Sequence, residues 1–469
     1  MSAFDLAEIP DRMKPAAGLR LPGGLLALGV LALPALAAPA GGIVARGLFV
    51  AACGAAGLWT WRQGAARHLS LVIVLFCFAP LARRLVDLSA GYDDSGLMLV
   101  GPLLALMAGL PEALRVLVSP DPKPLRGVAI VVGLCVAWAT ALSMVQGAWM
   151  NAASGALKWL APLLYALALL GRDPEGDDPF RASVFTFAWV LPLMGLYGVW
   201  QFVDPQDWDR YWMLSATITS AGLPEPYEVR TFSTLNGPAS FATFTAAGLL
   251  LVLFTRLNAL TLLAMLPAAA ALLLSMYRTA WISLAVGILF CTLFAGTRKR
   301  SFAVFGVLVA VVVAVVLQSP VSDTIADRLA SFGSGTDDGS AQERLDQFAA
   351  LWNLPDSGLL GSGFTITDAG TPGAMAIDGT LVNCWISMGI VVGIFCVAAL
   401  VAACARPIGL ALRRRTTRSA ALGALACGAL VQLPLAGIAS GELGFLFWTF
   451  VALACRAPGP ADRTPGEGA

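Results

Sequence analysis

Residues 318–378 read QSPVSDTIADRLASFGSGTDDGSAQERLDQFAALWNLPDSGLLGSGFTITDAGTPGAMAID, a polar, glycine- and acid-bearing run in a chain that is otherwise almost all hydrocarbon. Within it, residues 340–353 place Leu345, Phe348, Ala349 and Trp352 on one side at helical spacing. Glu343 and Arg344 head that predicted helix, and a glycine-rich run, GLLGSGF (358–364), follows it. The contrast with the flanking sequence decides the architecture. The apolar runs supply a membrane scaffold, and the chemistry is expected in this insert and in whatever faces it.

The chain has 469 residues, 58% hydrophobic and 13% charged. A soluble domain could not cover that much apolar surface, whereas a lipid-facing one has no need to. The fold class is therefore all-α, a polytopic membrane protein. Apolar runs long enough to form membrane helices, without strict alternation, argue against a β-barrel. Lys and Arg number 30 against 29 Asp and Glu, so the overall charge points to no nucleic-acid partner. The nine cysteines form no C-x-x-C pair and lie in or beside apolar runs, where they read as small buried hydrophobes. His68, the one histidine, lies at the polar edge of an apolar run and reads as a boundary residue. No metal site or cofactor is expected.

Runs long enough to span a bilayer fall near 21–40, 43–61, 69–89, 96–114, 127–146, 155–171 and 182–203. A second group falls near 238–255, 258–275, 279–296, 301–318, 381–404, 419–438 and 441–455. The expectation is about fourteen spans, twelve at the least. Lys and Arg cluster in every second connection, for example Arg298, Lys299 and Arg300. By the positive-inside rule that pattern puts both termini in the cytoplasm of a bacterial inner membrane. Residues 1–20 then form a cytoplasmic lead-in without the order of a cleaved signal peptide. Residues 21–455 form the transmembrane domain, with outer loops 204–236 and 318–380. Residues 456–469 form a tail expected to be disordered.

Arginines on the outer side need a reason, because positive charge is disfavoured there and must find a partner. The topology places Arg210, Arg230, Arg278, Arg328 and Arg344 outside or at the outer boundary, and Arg83 and Arg84 in the outer half of the third span. Guanidinium keeps its charge and binds phosphate through two parallel hydrogen bonds, which suits an anionic lipid head group. Arg278 lies with Tyr277 in a very short connection, LLLSMYRTAW. Arg230 opens RTFSTLNGPASFATF, where Asn236 precedes a Gly-Pro turn into a helix whose N-terminus favours an anion. Plain readings stand beside these: a snorkelling arginine for Arg278, and an ordinary loop-to-helix cap for Arg230. Trp149, Trp200, Trp208 and Trp212 read as outer-interface anchors.

RTFSTLNGPASFA, then S-x-x-R-T-A-W around Arg278, then E-R-x-D-x-x-x-x-x-W followed by GLLGSGF, and last DGTLVNCWISMGIVVG, resemble in that order the O-antigen ligase and polymerase superfamily (Wzy/WaaL-like proteins). The likeness covers about residues 225–400. It implies a GT-C-like, metal-independent inner-membrane glycosyltransferase that takes glycan from an undecaprenyl-pyrophosphate carrier on the outer face. Polymerases pass the glycan to another lipid-linked repeat unit, and ligases to lipid A core. By that resemblance Arg230, Arg278 and Arg344 hold the pyrophosphate or its sugar. Ligases of the family carry a histidine where this chain has Asp378, which favours a polymerase of an exopolysaccharide, capsule or O-antigen.

The expected chemistry is attack of an acceptor hydroxyl on the sugar C1 with loss of pyrophosphate. Arg278 and Arg344 neutralise the leaving group, and Asp378 takes the hydroxyl proton, with Glu343 and Glu228 behind it. Arg210, Arg230, Asn236, Tyr277, Glu343 and Arg84 complete the expected substrate contacts. Membrane lipid and a chain-length regulator or export complex are the expected partners. The alternatives are an O-antigen ligase, a lipid-linked sugar flippase or transporter, and a scaffold subunit of a secretion complex; the flippase does not fit the near-absence of acids within the spans and the large outer loop, and the scaffold does not explain the outer-side arginines.

Overall fold

The computed structural model describes residues 23–38, 41–121, 123–172, 177–216, 219–255, 258–316, 357–365 and 379–456. Long runs of Ala, Leu, Val and Phe have no alternating polar residues to present as a half-buried strand. In hydrocarbon a helix satisfies its own backbone. The described chain accordingly folds into helices, and its one bridge outside them joins Gly222 and Val229. Among the described residues, eight helices are long and apolar enough to cross a membrane by length and composition, and four shorter apolar helices accompany them. The protein is an all-α polytopic membrane protein.

The first half runs α1 (Gly23–Ala37), α2 (Gly42–Gln63), α3 (Ala65–Ala90), α4 (Val100–Leu106), α5 (Leu110–Val118), α6 (Arg126–Val145), α7 (Trp149–Gly171) and α8 (Pro179–Val203). The expected span at 96–114 is present as the helical run Leu97–Val118, built of α4 and α5 in series, joined and preceded by 3-10 turns at Met107–Gly109 and Leu97–Leu99. A short helix α9 (Asp207–Ser215) then lies in the 204–236 loop. The second half runs α10 (Pro238–Thr255), α11 (Ala259–Leu274), α12 (Arg278–Cys291), α13 (Ala295–Val316), the one-turn α14 (Ser357–Leu360), α15 (Thr380–Arg414), α16 (Thr417–Gln432) and α17 (Gly441–Cys455). Residues 1–22 and 457–469, and most of the 318–378 insert, lie outside the described residues.

Two helices form the centre. Every residue of α17 from Leu443 to Ala454 is buried, as is every residue of α10 from Phe241 to Phe254. A helix that is hydrophobic all round belongs in the middle of such a bundle, and these two sit there. Elsewhere small residues let backbones touch. A Cβ on Gly195 of α8 would overlap the backbone nitrogen of Ala268 in α11.

α15 is longer than the expected 381–404 span, at 35 residues, and it is broken at Gly389 (φ 78°, ψ 165°). The break leaves carbonyls without helical partners. The GLLGSGF run supplies them: the Ser362 N–H donates to Ile386 O (2.7 Å) and the Gly363 N–H to Ser387 O (3.0 Å). The same run is gripped on its other side, where Trp138 Nε1 donates to Leu360 O (2.9 Å) and the Phe364 N–H to Ser143 Oγ (2.7 Å). What reads in sequence as a loop is thus pressed into the bundle between α6, α7 and α15, with its backbone satisfied by protein.

Two expectations are corrected. His68 is not a boundary residue but is fully buried, with Nδ1 3.1 Å from Tyr165 Oη and Nε2 3.0 Å from Ala105 O. Burial is tolerated because both ring nitrogens have partners. Trp212 is not an interface anchor; it is buried against Phe232, while Trp149 and Trp200 are exposed.

The Gly195–Ala268 contact makes a direct prediction. Gly195→Val should separate α8 from α11, costing about 1–3 kcal/mol through overpacking, whereas Gly47→Ala, where an added Cβ meets nothing, should be neutral. Thermal midpoints of the detergent-purified proteins check this.

A candidate glycan-transfer mouth

Arg84 organises one end of the bundle. It has no exposure and forms an ion pair with Asp209 of α9, which is equally buried. Its other nitrogen donates to Ser233 O (2.6 Å), and its guanidinium lies 4.9 Å from the Phe232 ring and 5.9 Å from that of Trp212. Asp209 also accepts from Tyr197 Oη (2.8 Å) and Gln201 Nε2 (2.7 Å). Gln201 in turn accepts, at Oε1, the N–H groups of Phe232 (3.0 Å) and Ser233 (2.7 Å). Arg84, expected as a substrate contact, has its charge met inside the protein and holds the 204–236 lip on the helices.

A second buried cluster ties α2 to α3: Asp87 takes Arg46 Nη2 at 2.8 Å and lies 3.2 Å from Arg83 Nε. In the loop after α3, burial alone would raise the Asp93 carboxyl. Hydrogen bonds from Ser95 and the Leu97 N–H, with the Arg46 charge, outweigh it and hold the group below its ordinary value. Arg210 pairs with Asp204 (2.9 Å) at the exposed rim, and Glu228 is exposed.

The lip brings two expected site segments together. The Arg230 N–H donates to Ala221 O (2.9 Å) and, one residue on, the Thr231 N–H donates to Leu274 O (3.1 Å) at the end of α11. Leu274 opens the tight turn to Arg278, in which Met276 has a positive φ of 54° and Trp281 Nε1 reaches back to Leu272 O (3.0 Å). Arg230, Tyr277 and Arg278, remote in sequence, thus flank one hydrogen-bonded junction, each partly buried. Asn236 follows on the same loop, and its Oδ1, like the Thr234 hydroxyl, is buried with no hydrogen-bond partner.

Beyond the loop that leads from this junction into α10, several helix ends are tied to one another. Arg278 is the first residue of α12, Thr380 of α15 and Gly441 of α17, and none of these helices has a side-chain N-cap. Ser240, in the first turn of α10, donates to Glu442 of α17 (2.7 Å). Thr380 binds the turn between α16 and α17: its N–H donates to Leu433 O (2.9 Å) and Ala436 O (3.0 Å), and its hydroxyl accepts the Ile438 N–H (3.0 Å). Just beneath, Gln432 donates to Ser283 of α12 (2.8 Å) and accepts from Thr243 of α10 (3.2 Å). Those three polar side chains cap a cavity that continues between apolar walls formed by residues such as Leu250, Leu425, Leu446 and Phe450.

Uncapped helix N-termini carry partial positive charge and free N–H groups. Helix starts of this kind, together with Arg230 and Arg278, form a candidate site for an anion. Of the other expected residues, Glu343, Arg344 and Asp378 lie outside the described residues, although Asp378 directly precedes Gly379, whose neighbour Thr380 is fixed at the mouth. Sequence reading passed over Ser240, Ser283 and Gln432, and Glu442 reads there only as a marginal acid within a span. The one available signal was a carboxylate opening an otherwise apolar last span.

Removing Arg84 would leave Asp209 buried without its cation. Arg84→Ala should destabilise the lip by about 3–5 kcal/mol, read as reduced accumulation in membranes and a lower thermal midpoint; Arg210→Ala, at the exposed rim, should change neither.

A family model described as O-antigen ligase matches residues 260–397. No curated protein matches the chain. The matched stretch begins in α11, contains Arg278 and α12, and ends in α15 beyond the Gly389 break. The likeness to the O-antigen ligase family is confined to residues 260–397.

Proposed function

We propose that the protein polymerises undecaprenyl-pyrophosphate-linked oligosaccharide repeat units on the outer face of the bacterial inner membrane. The observation that carries this reading is the Thr231–Leu274 junction, which gathers the Arg230 and Arg278 segments at a mouth lined by helix N-termini. A diphosphate is the anion that two guanidinium groups suit.

In the reaction, an acceptor hydroxyl attacks C1 of the donor sugar, the C1–O bond breaks, and the pyrophosphate leaves with the electron pair. The hydroxyl proton passes to a carboxylate, and one displacement inverts the anomeric centre. Pyrophosphate is already a competent leaving group, so the protein has to neutralise its charge and orient the acceptor. Arg278 and Arg230 serve the first need, with Arg344 from the insert. Asp378 is the proposed base. Glu442, held by Ser240 at the first turn of α17, orients the acceptor hydroxyl. Asp378 in place of the ligase histidine favours polymerisation over transfer to lipid A core.

The test is complementation of a deletion strain with variants that still reach the membrane. Arg278→Ala and Arg230→Ala should each lower polymer by about 100-fold or more, and Arg278→Lys should not rescue, because an ammonium cannot replace a two-point guanidinium contact. Single repeat units should accumulate on the carrier outside. Units retained inside would indicate a flippase, and long polymer left on its carrier would indicate a ligase. Full polymer from both alanine variants would end the proposal.

A further inference from the structure

We infer that the GLLGSGF run is a positioning element for Glu442, acting through the first two turns of α15; the inference rests on the glycan-transfer reading. Gly389 separates Thr380–Met388 from the remainder of α15, so these turns take their direction from contacts at their two ends. At the far end the N–H groups of Ser362 and Gly363 replace the lost helical donors at Ile386 O and Ser387 O. At the near end Thr380 holds the α16–α17 turn at both Ala436 and Ile438, a few residues before Glu442. The half-helix is a strut between the buried loop and the carboxylate.

The glycines are what make the contact close enough. Gly361 and Gly389 both have positive φ (85° and 78°), and a Cβ on Gly361 would overlap the Gly389 nitrogen, as one on Gly389 would overlap Leu359 O. Gly358, in the same run, faces open space. An alanine at either of the first two positions therefore pushes the loop off α15, while one at Gly358 does not. Ser362 and Gly363 then lose their acceptors, and the half-helix is free to swing.

The experiment uses the full chain in membranes and reads two quantities. Cys384 lies on the half-helix and is fully buried, as is Cys53 on α2. N-ethylmaleimide labelling, read by mass spectrometry, should rise about five-fold at Cys384 in Gly361→Ala and Gly389→Ala, with Cys53 unchanged. Transfer from an undecaprenyl-pyrophosphate-linked donor should fall about ten-fold in each variant, and Gly358→Ala should match the parent. Glu442→Gln should cost about the same ten-fold, and adding Gly361→Ala to it should cost less than about two-fold more, since both changes remove one effect. Trp138→Phe, which deletes only the bond to Leu360 O, should give a smaller loss of the same kind and serves if the glycine variants fail to insert. Unchanged Cys384 labelling overturns the strut. Raised labelling with full transfer, or additive losses in the Glu442→Gln background, overturns its link to Glu442 while leaving glycan transfer standing. A parent protein that transfers nothing from this donor overturns the functional reading and this inference with it.

Discussion

The buried pair of Arg84 and Asp209 is the interaction on which the mouth depends. A guanidinium and a carboxylate without water are costly unless their remaining polar atoms find partners, and in this pair Arg84 Nε does not. Here the surplus hydrogen bonds run to Ser233 O, Tyr197 and Gln201, and Gln201 passes the order on to two backbone N–H groups of the lip. The lip carries a buried apolar cluster, Trp212, Met213, Ala221, Val229 and Phe232, and the ion pair pins that cluster to α3 and so sets where Arg230 stands relative to Arg278.

The mouth itself is built from backbone as much as from side chains. Uncapped N-termini are a liability in a soluble protein, where a Ser or Asp at the N-cap is usual. Leaving α12, α15 and α17 without a side-chain N-cap leaves the positive ends of their dipoles unneutralised by side chains, while the Thr380 N–H of α15 is taken by Leu433 O and Ala436 O. Electrostatics of this kind is in place before a ligand arrives and needs no reorganisation when charge develops.

The architecture was legible in the sequence because lipid imposes a coarse rule: twenty apolar residues make a span. Arg230 and Arg278 stood out for a related reason, since a cation on the wrong side of a membrane is expensive. The partners of Arg84 did not show, because Asp209 lies 125 residues away and no spacing rule links them. The break in α15 was hidden as well. Gly389 sits in ISMGIVVG, a run as apolar as any helix interior, and only the return of Ser362 and Gly363 to Ile386 and Ser387 reveals why a glycine with positive φ is there. Glu442 reads in the sequence only as a marginal acid within a span, because its meaning comes from Ser240 on another helix, 202 residues away.

The central place of α17 carries a consequence for biogenesis. Among the described helices it is the last to leave the ribosome, yet its residues from Leu443 to Ala454 are enclosed on all sides. The earlier helices must therefore enter the bilayer first and stay loosely associated, with a vacant shaft between α7, α15 and α16, until this final segment is released and slots in. Assembly is completed at the middle, and carboxylate, strut and mouth come into register only in that closing step.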